Sequence, residues 1–81
     1  MFTKENKMAL TTLRSEISGT IWKIEVAQGS QVVQGDTLIV IESMKMEIPV
    51  LAGQGGKVVE ILVAEQEPVS EGQELIRIET V

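Results

Sequence analysis

Large apolar residues recur at every second position in short runs along the chain. In the run 22–26 these residues are Trp22, Ile24 and Val26, and the run 59–63 repeats the same spacing. A period of two is typical of a β-strand that buries one of its faces. We therefore expect a strand in each run, and we assign Trp22 to the core rather than to a ligand site.

A second pair of apolar runs follows these strands. The runs 38–42 and 75–79 both place isoleucine at their second and fourth positions, which predicts two further strands with inward isoleucines. The residue between the isoleucines is Val40 in the first run and Arg77 in the second. We therefore expect the opposite face of both strands to be in contact with water.

Clusters of glycine and polar residues separate the apolar runs. The segments 28–30, 34–36 and 70–72 combine glycine with Ser, Gln, Asp or Glu, a composition typical of turns. Gly35 and Gly72 occupy equivalent places, which suggests a positive φ or a close backbone approach. No segment has a convincing helical pattern. Short strands separated by turns predict an all-β sandwich or barrel.

The chain contains two copies of one sequence pattern, offset by 37 positions. Ser18 corresponds to Gly55, and ten of the 27 pairs from there to Met44 and Val81 are identical. Two copies are too few for a solenoid. The repeat therefore predicts two halves related by a pseudo-twofold axis.

The repeat also predicts a chain reversal at Met44–Lys45. The run 37–48 contains no Gly, Pro, Asn or Asp, so propensity alone would extend one strand through it. However, Met44 corresponds to Val81 at the end of the second copy, so the first copy ends there. Two-residue hairpin turns favour pairs such as Asn-Gly because they need positive φ. A Met-Lys turn would carry strain of the kind that collects at functional positions.

Composition narrows the classes of function. The 81 residues make one small domain without cysteine or histidine, so the commonest nucleophile, general base and metal ligands are missing. We therefore expect no independent enzyme. A net charge of −5 argues against a nucleic-acid surface, and no apolar run approaches the ~20 residues of a membrane span. We expect residues 1–9 to be a flexible leader or a cloning remnant, residues 10–81 to form the domain, and the chain to be cytoplasmic.

The most specific motif is the hexapeptide 42–47, Glu-Ser-Met-Lys-Met-Glu, at the junction of the two copies. With the framework Ser18-Gly19-Thr20 and the recurring glycines, it makes the chain resemble the biotinyl domain of biotin carboxyl carrier proteins from about Leu13 to Glu79. The resemblance implies a flattened barrel, or sandwich, of two four-stranded antiparallel sheets. It also implies a modified lysine on an exposed hairpin.

The resemblance implies a role for each residue of the motif. Biotin protein ligase would attach biotin to Lys45 through an amide bond and would recognise Met44 and Met46. The flanking positions of the motif are Glu42, Ser43 and Glu47. A biotin carboxylase would load the attached biotin with carboxylate, and a carboxyltransferase would unload it. Acetyl-CoA carboxylase, an enzyme of fatty acid biosynthesis, is the expected setting.

The chain departs from the family pattern at a few places. Ser43 replaces the usual alanine, a small-for-small exchange that we expect the ligase to tolerate. Gln66 stands where the first copy has Gly29, so we expect a different turn geometry there. The strand 22–26 continues without insertion, which predicts a carrier without the short "thumb" of some bacterial relatives.

The sequence is also compatible with three alternatives. Other biotin-dependent carboxylases and decarboxylases use similar domains. Lipoyl carriers share the fold, although they usually place Asp before the lysine and Ala after it. An unmodified β-hairpin interaction module would leave Lys45 an ordinary solvated charge and Met44 and Met46 ordinary fillers at the edge of the core.

Overall fold

The computed structural model describes residues 9–80, and all of their regular structure is β-strand. The leader expected at residues 1–9 lies outside the described residues, except for Ala9, which begins the first strand. The strands in chain order are β1 (Ala9–Arg14), β2 (Gly19–Ile24), β3 (Gln31–Val32), β4 (Thr37–Ser43), β5 (Met46–Leu51), β6 (Gly56–Ile61), β7 (Pro68–Val69) and β8 (Glu74–Thr80).

The strands form two four-stranded antiparallel sheets, as expected. Sheet A has the order β1-β8-β6-β3, and sheet B has the order β5-β4-β2-β7. Adding 37 to the bounds of β1 to β4 reproduces the bounds of β5 to β8. The same shift converts the strand order of sheet A into that of sheet B. The two halves are therefore related by the pseudo-twofold repeat, and each sheet takes two strands from each half.

The core lies between the two sheets and consists of aliphatic side chains from both copies. Its fully or almost fully buried members include Ile39 and Ile41 from β4 and Ile76 and Ile78 from β8, which confirms the inward isoleucines. The hydroxyl residue Ser15 is also buried, and its hydroxyl donates to the carbonyl oxygen of Ile17. Burial of this aliphatic surface supplies the main stabilising term for so small a domain.

The assignment of Trp22 to the core is wrong. A register shift in the pairing of β2 with β4 lies between Ile21 and Lys23, so Trp22 is the extra residue of a β-bulge. Ile21 is fully buried, whereas Trp22 is 42% exposed. The second copy has the same irregularity beside Val59, which is only half-buried. The bulge resets the alternation and turns both residues away from the core.

The expectation of a wet outer face is also wrong at one position. Val40 is only 8% exposed, yet it stands apart from the core cluster to which its neighbours Ile39 and Ile41 belong. It is therefore covered on the outer face of sheet B. Trp22 is the bulged residue of the adjacent strand β2, next to Lys23, which pairs with Val40.

The turns of the two copies are more alike in structure than their sequences are. Gly35 and Gly72 both have positive φ, 93° and 88°, as expected. Gln66 has φ 73° and its N–H donates to the carbonyl oxygen of Ile21 at 2.7 Å. Gly29 has φ 93° and its N–H donates to the equivalent carbonyl of Val58, also at 2.7 Å. The prediction of a different geometry at Gln66 is therefore wrong.

Two further features bear on function. The connection from β2 to β3 consists of residues 25–30 alone, so it contains no inserted thumb, as expected. Within residues 9–80, no helix is long and apolar enough to cross a membrane.

Candidate functional site

The predicted chain reversal is a two-residue hairpin between β4 and β5. Ser43 pairs with Met46, and the two residues between them have positive φ, 53° at Met44 and 66° at Lys45. Positive φ at both central residues is what a type I′ turn requires. Neither residue is glycine, so the turn holds L-residues in a left-handed conformation that costs about 1 kcal/mol or more per residue.

The side chains of this turn lie in solvent. Met44 is 92% exposed and Met46 is 64% exposed, and Lys45 between them is exposed as well. Two methionines at such exposure fill no gap in the core, so the packing alternative is wrong for both. Large apolar side chains held in water beside a lysine suit recognition by another protein.

Ser43 fixes the base of the hairpin, a role that the sequence analysis missed. Its Oγ donates to the carbonyl oxygen of Ser18 at 2.9 Å, and Ser18 Oγ accepts the N–H of Glu71 at 3.3 Å. The signal was present in the repeat. Ser43 corresponds to Thr80, whose Oγ1 donates to the carbonyl oxygen of Ala9. A hydroxyl at this position therefore ties the end of each long strand to a neighbouring segment.

Glu42 and Glu47 lie directly opposite each other across the hairpin, one residue pair behind Ser43 and Met46. Both carboxylates are exposed. Like charges at directly opposite positions of an antiparallel pair destabilise it slightly. The hairpin therefore presents a paired negative charge close behind the lysine, at a small cost in stability.

The turn can supply a nucleophilic amine, that of the exposed Lys45. No group of three or more potential metal ligands occurs among residues 9–80. The chain has no histidine or cysteine, and the residues that flank Lys45 in the turn are methionines. A primary amine must lose a proton before it attacks an acyl group, so the reaction at Lys45 needs a base to accept that proton.

Replacing Met44 with asparagine should stabilise the domain. Asparagine tolerates left-handed backbone better than methionine does, so Met44→Asn should raise the free energy of unfolding by about 0.5–1 kcal/mol. This gain corresponds to a rise in Tm of roughly 2–8 °C for a domain of this size. Met46→Asn is the matched control, since Met46 is also exposed but lies in a strand. A lower or equal Tm for Met44→Asn would show that the turn is not strained.

Comparison of the sequence with known proteins shows the family to which the chain belongs. The family model described as "Biotin-requiring enzyme" matches residues 8–78. A biotin/lipoyl attachment protein of Bacillus subtilis (strain 168) is 37% identical over 67 residues, which cover 83% of this chain and 92% of the relative. A homolog of biotinylated protein TB7.3 from Mycobacterium leprae (strain TN) is 42% identical over 60 residues, covering 74% of this chain and 84% of the relative.

A solved structure shows a similar domain inside a much larger chain. The urea carboxylase of Kluyveromyces lactis superposes with a TM-score of 0.82 and 36% sequence identity. The match covers 96% of this chain but only 7% of the urea carboxylase. The likeness therefore concerns one small domain of that enzyme.

Proposed function

We propose that this chain, which belongs to the biotin-requiring enzyme family, is a biotin carboxyl carrier with biotin attached to Lys45. The observation that carries the proposal is the two-residue turn that holds Lys45 in solvent between two exposed methionines. The similarity to the Mycobacterium leprae homolog of biotinylated protein TB7.3 supports biotin as the attached group.

Lys45 is the nucleophile in the reaction that attaches biotin to the chain. In the ligase reaction, Nζ forms a C–N bond with the acyl carbon of biotinyl-adenylate, and the bond from that carbon to the phosphate oxygen breaks. AMP leaves with the electron pair, and the proton of the amine passes to a base of the biotin protein ligase. The chain contributes an accessible amine on a preorganised turn, which lowers the cost of ordering the hairpin on binding.

When bound, biotin supplies a ring that accepts a carboxyl group in a biotin carboxylase and gives it up in a carboxyltransferase. The chain itself contributes position. A flexible lysine stem on a rigid sheet raises the local concentration of the carried group at each active site. We assign no catalytic step to any residue of the chain.

Acetyl-CoA is the acceptor that we propose, and the cytoplasm is the proposed location. The attachment domain alone does not select the acceptor, since the structural match includes a urea carboxylase. Co-purification of the chain with a carboxyltransferase subunit, followed by assay of that complex with acetyl-CoA, propionyl-CoA, pyruvate and urea, identifies the acceptor. Activity with another acceptor and none with acetyl-CoA would overturn this part of the proposal.

The central test is the intact mass of the purified chain after incubation with biotin protein ligase, biotin and ATP. We expect a gain equal to one biotinyl group, with fragmentation locating it at Lys45. A parallel incubation with lipoate and a lipoate ligase separates the related carrier class. A lipoyl adduct without a biotinyl adduct would overturn the proposal, and so would the absence of any adduct.

The two methionines should matter for the ligase and little for stability. Met44→Ala and Met46→Ala remove exposed apolar contacts, so each should slow biotinylation about tenfold, equivalent to ~1.4 kcal/mol. Each should change the free energy of unfolding by less than about 0.5 kcal/mol because both side chains are exposed. Val33→Ala is the control, since Val33 is 64% exposed in a different loop. A large loss of Tm with normal biotinylation of the folded protein would make the methionines packing residues.

A further inference from the structure

The outer faces of the two sheets differ, although the repeat makes their positions equivalent. On sheet A the outer face carries a connected set of ion pairs. Arg77 contacts Glu60 at 2.9 Å and Glu74 at 3.1 Å, and Glu74 also contacts Arg14 at 3.1 Å. Each of these pairs is partly exposed and contributes little to stability by itself. Together they give sheet A a polar, charge-balanced surface.

The equivalent positions on sheet B carry almost none of this charge. Shifting the four ion-pair residues by 37 positions gives Leu51, Thr37, Val40 and Lys23 in place of Arg14, Glu74, Arg77 and Glu60. Leu51 is 49% exposed, and Trp22, at the bulge beside Val40, is 42% exposed. Pro49 lies on the edge strand β5, where it pairs with Val40 of β4, and it is exposed too. Val40 itself is buried, so we call the exposed residues around it, Trp22, Pro49 and Leu51, the apolar face.

The apolar face is continuous with the attachment hairpin. Side chains two residues apart on a strand share a face, so Glu42 lies on the same side as Val40, and Glu47 on the same side as Pro49. The surface therefore runs from an apolar patch, past a pair of carboxylates, to the turn that holds Lys45. An exposed tryptophan next to aliphatic side chains is typical of the centre of a protein interface.

We propose that the apolar face is the surface on which a biotin carboxylase docks, an inference that rests on the proposed function. A biotin carboxylase binds ATP and bicarbonate, so the entrance to its active site has to attract anions. The Glu42–Glu47 pair is complementary to such a cationic rim and would steer the hairpin toward it. The apolar face then supplies the contact area that holds the domain in place.

The position of the face favours this enzyme over the ligase. Val40 lies five residues behind Lys45 along the chain, a separation of roughly 17 Å in extended strand. A ligase forms its bond at Nζ of Lys45 and has to enclose the turn itself. An enzyme that receives the far end of the lysine-biotin arm needs only to hold the domain within the reach of that arm. A sheet face behind the turn suits the second requirement.

The test uses the full chain, biotinylated at Lys45 and confirmed by mass, as substrate for a purified biotin carboxylase with ATP and bicarbonate. ADP release gives kcat and KM for the biotinylated chain. Trp22→Ala and Leu51→Gln should each raise KM at least tenfold and leave kcat within about twofold. Val59→Ala and Arg14→Gln, at the equivalent positions of sheet A, should leave both constants unchanged. Thermal melting of every variant establishes that it is folded, and the two apolar-face variants test the surface independently.

The outcomes separate the inference from the function on which it rests. An unchanged KM for Leu51→Gln and for folded Trp22→Ala overturns the docking surface, and so does an equal effect of the sheet A controls. If the ligase biotinylates Trp22→Ala and Leu51→Gln more slowly, or if these variants are impaired only as substrates of the carboxyltransferase, the face belongs to another partner. Either result overturns the proposal as well. Failure of the wild-type chain to accept biotin overturns the proposed function itself.

Discussion

We expect Lys45→Arg to abolish capture of the chain by streptavidin and to leave its fold intact. Arginine keeps the positive charge, but its guanidinium stays protonated in proteins and provides no free amine for acylation. The side chain is exposed, so the free energy of unfolding should change by less than about 0.5 kcal/mol. Streptavidin capture and intact mass after treatment with biotin protein ligase, together with thermal melting, measure both parts.

Lys57→Arg is the matched control for this experiment. Lys57 is also exposed and lies in β6 on the other sheet. The Lys57→Arg variant should be biotinylated to the same extent as the wild-type chain. This result would exclude a general effect of replacing a lysine. Undiminished capture of Lys45→Arg, or loss of capture in Lys57→Arg alone, would move the attachment site away from the hairpin.

The largest loss of stability should come from Gly19→Ala. A Cβ at Gly19 would overlap the carbonyl oxygen of Glu42 and lie 2.9 Å from Cγ2 of the buried Ile41. Because the nearest atom belongs to the backbone, β2 and β4 have to separate to accommodate it. We expect a loss of about 2–3 kcal/mol in the free energy of unfolding, or roughly 10–20 °C in Tm.

Two other glycines test the reason for this loss. Gly56 is the twofold mate of Gly19, and a Cβ there would lie 2.5 Å from the carbonyl oxygen of Glu79, so Gly56→Ala should be similarly destabilising. Gly53 has open space around it and no positive φ, so Gly53→Ala should be neutral or slightly stabilising. Equal melting temperatures for all three variants would show that the sheets absorb the extra methyl group without strain.

The chain reversal could be predicted because the repeat carried information that local propensity lacked. Nothing in the run 37–48 favours a turn, and the strand-forming residues would continue through Lys45. Only the correspondence of Met44 with Val81 required the first copy to end there. The strain at Met44 and Lys45 follows from the same conflict between a global requirement and the local sequence.

The bulge at Trp22 could not be predicted for the opposite reason. Ile21, Trp22, Ile24 and Val26 are all apolar, so an alternation that begins at Trp22 fits the pattern without a defect. The extra residue shows itself only in the pairing with β4, where Ile21 is opposite Ile41 and Lys23 is opposite Val40. The repeat located the hairpin, but it could not reveal the bulge. Both copies contain the bulge at equivalent positions, so comparing them shows no difference.

The hydrogen bond of Ser43 and the burial of Val40 depend on how distant segments meet. Ser43 donates to Ser18, and the bulge at Trp22 lies on β2, the strand that pairs with β4 at Val40. No spacing within either segment encodes these meetings. Equivalence under the repeat was misleading at Val40, because its mate Arg77 lies in an ion-pair network that sheet B lacks.

The interleaving of the two halves sets the order in which the domain can be made and modified. In sheet A, β8 lies between β1 and β6, so β1 finds its neighbour only after the strands from β2 to β8 have been synthesised. The β4–β5 hairpin can pair early, but the sheet behind it is completed only when β7 arrives. Pairing of such distant segments is slow relative to local pairing. An enzyme that recognises the finished surface around Lys45 must therefore wait until the strands up to β8 have been synthesised and have paired.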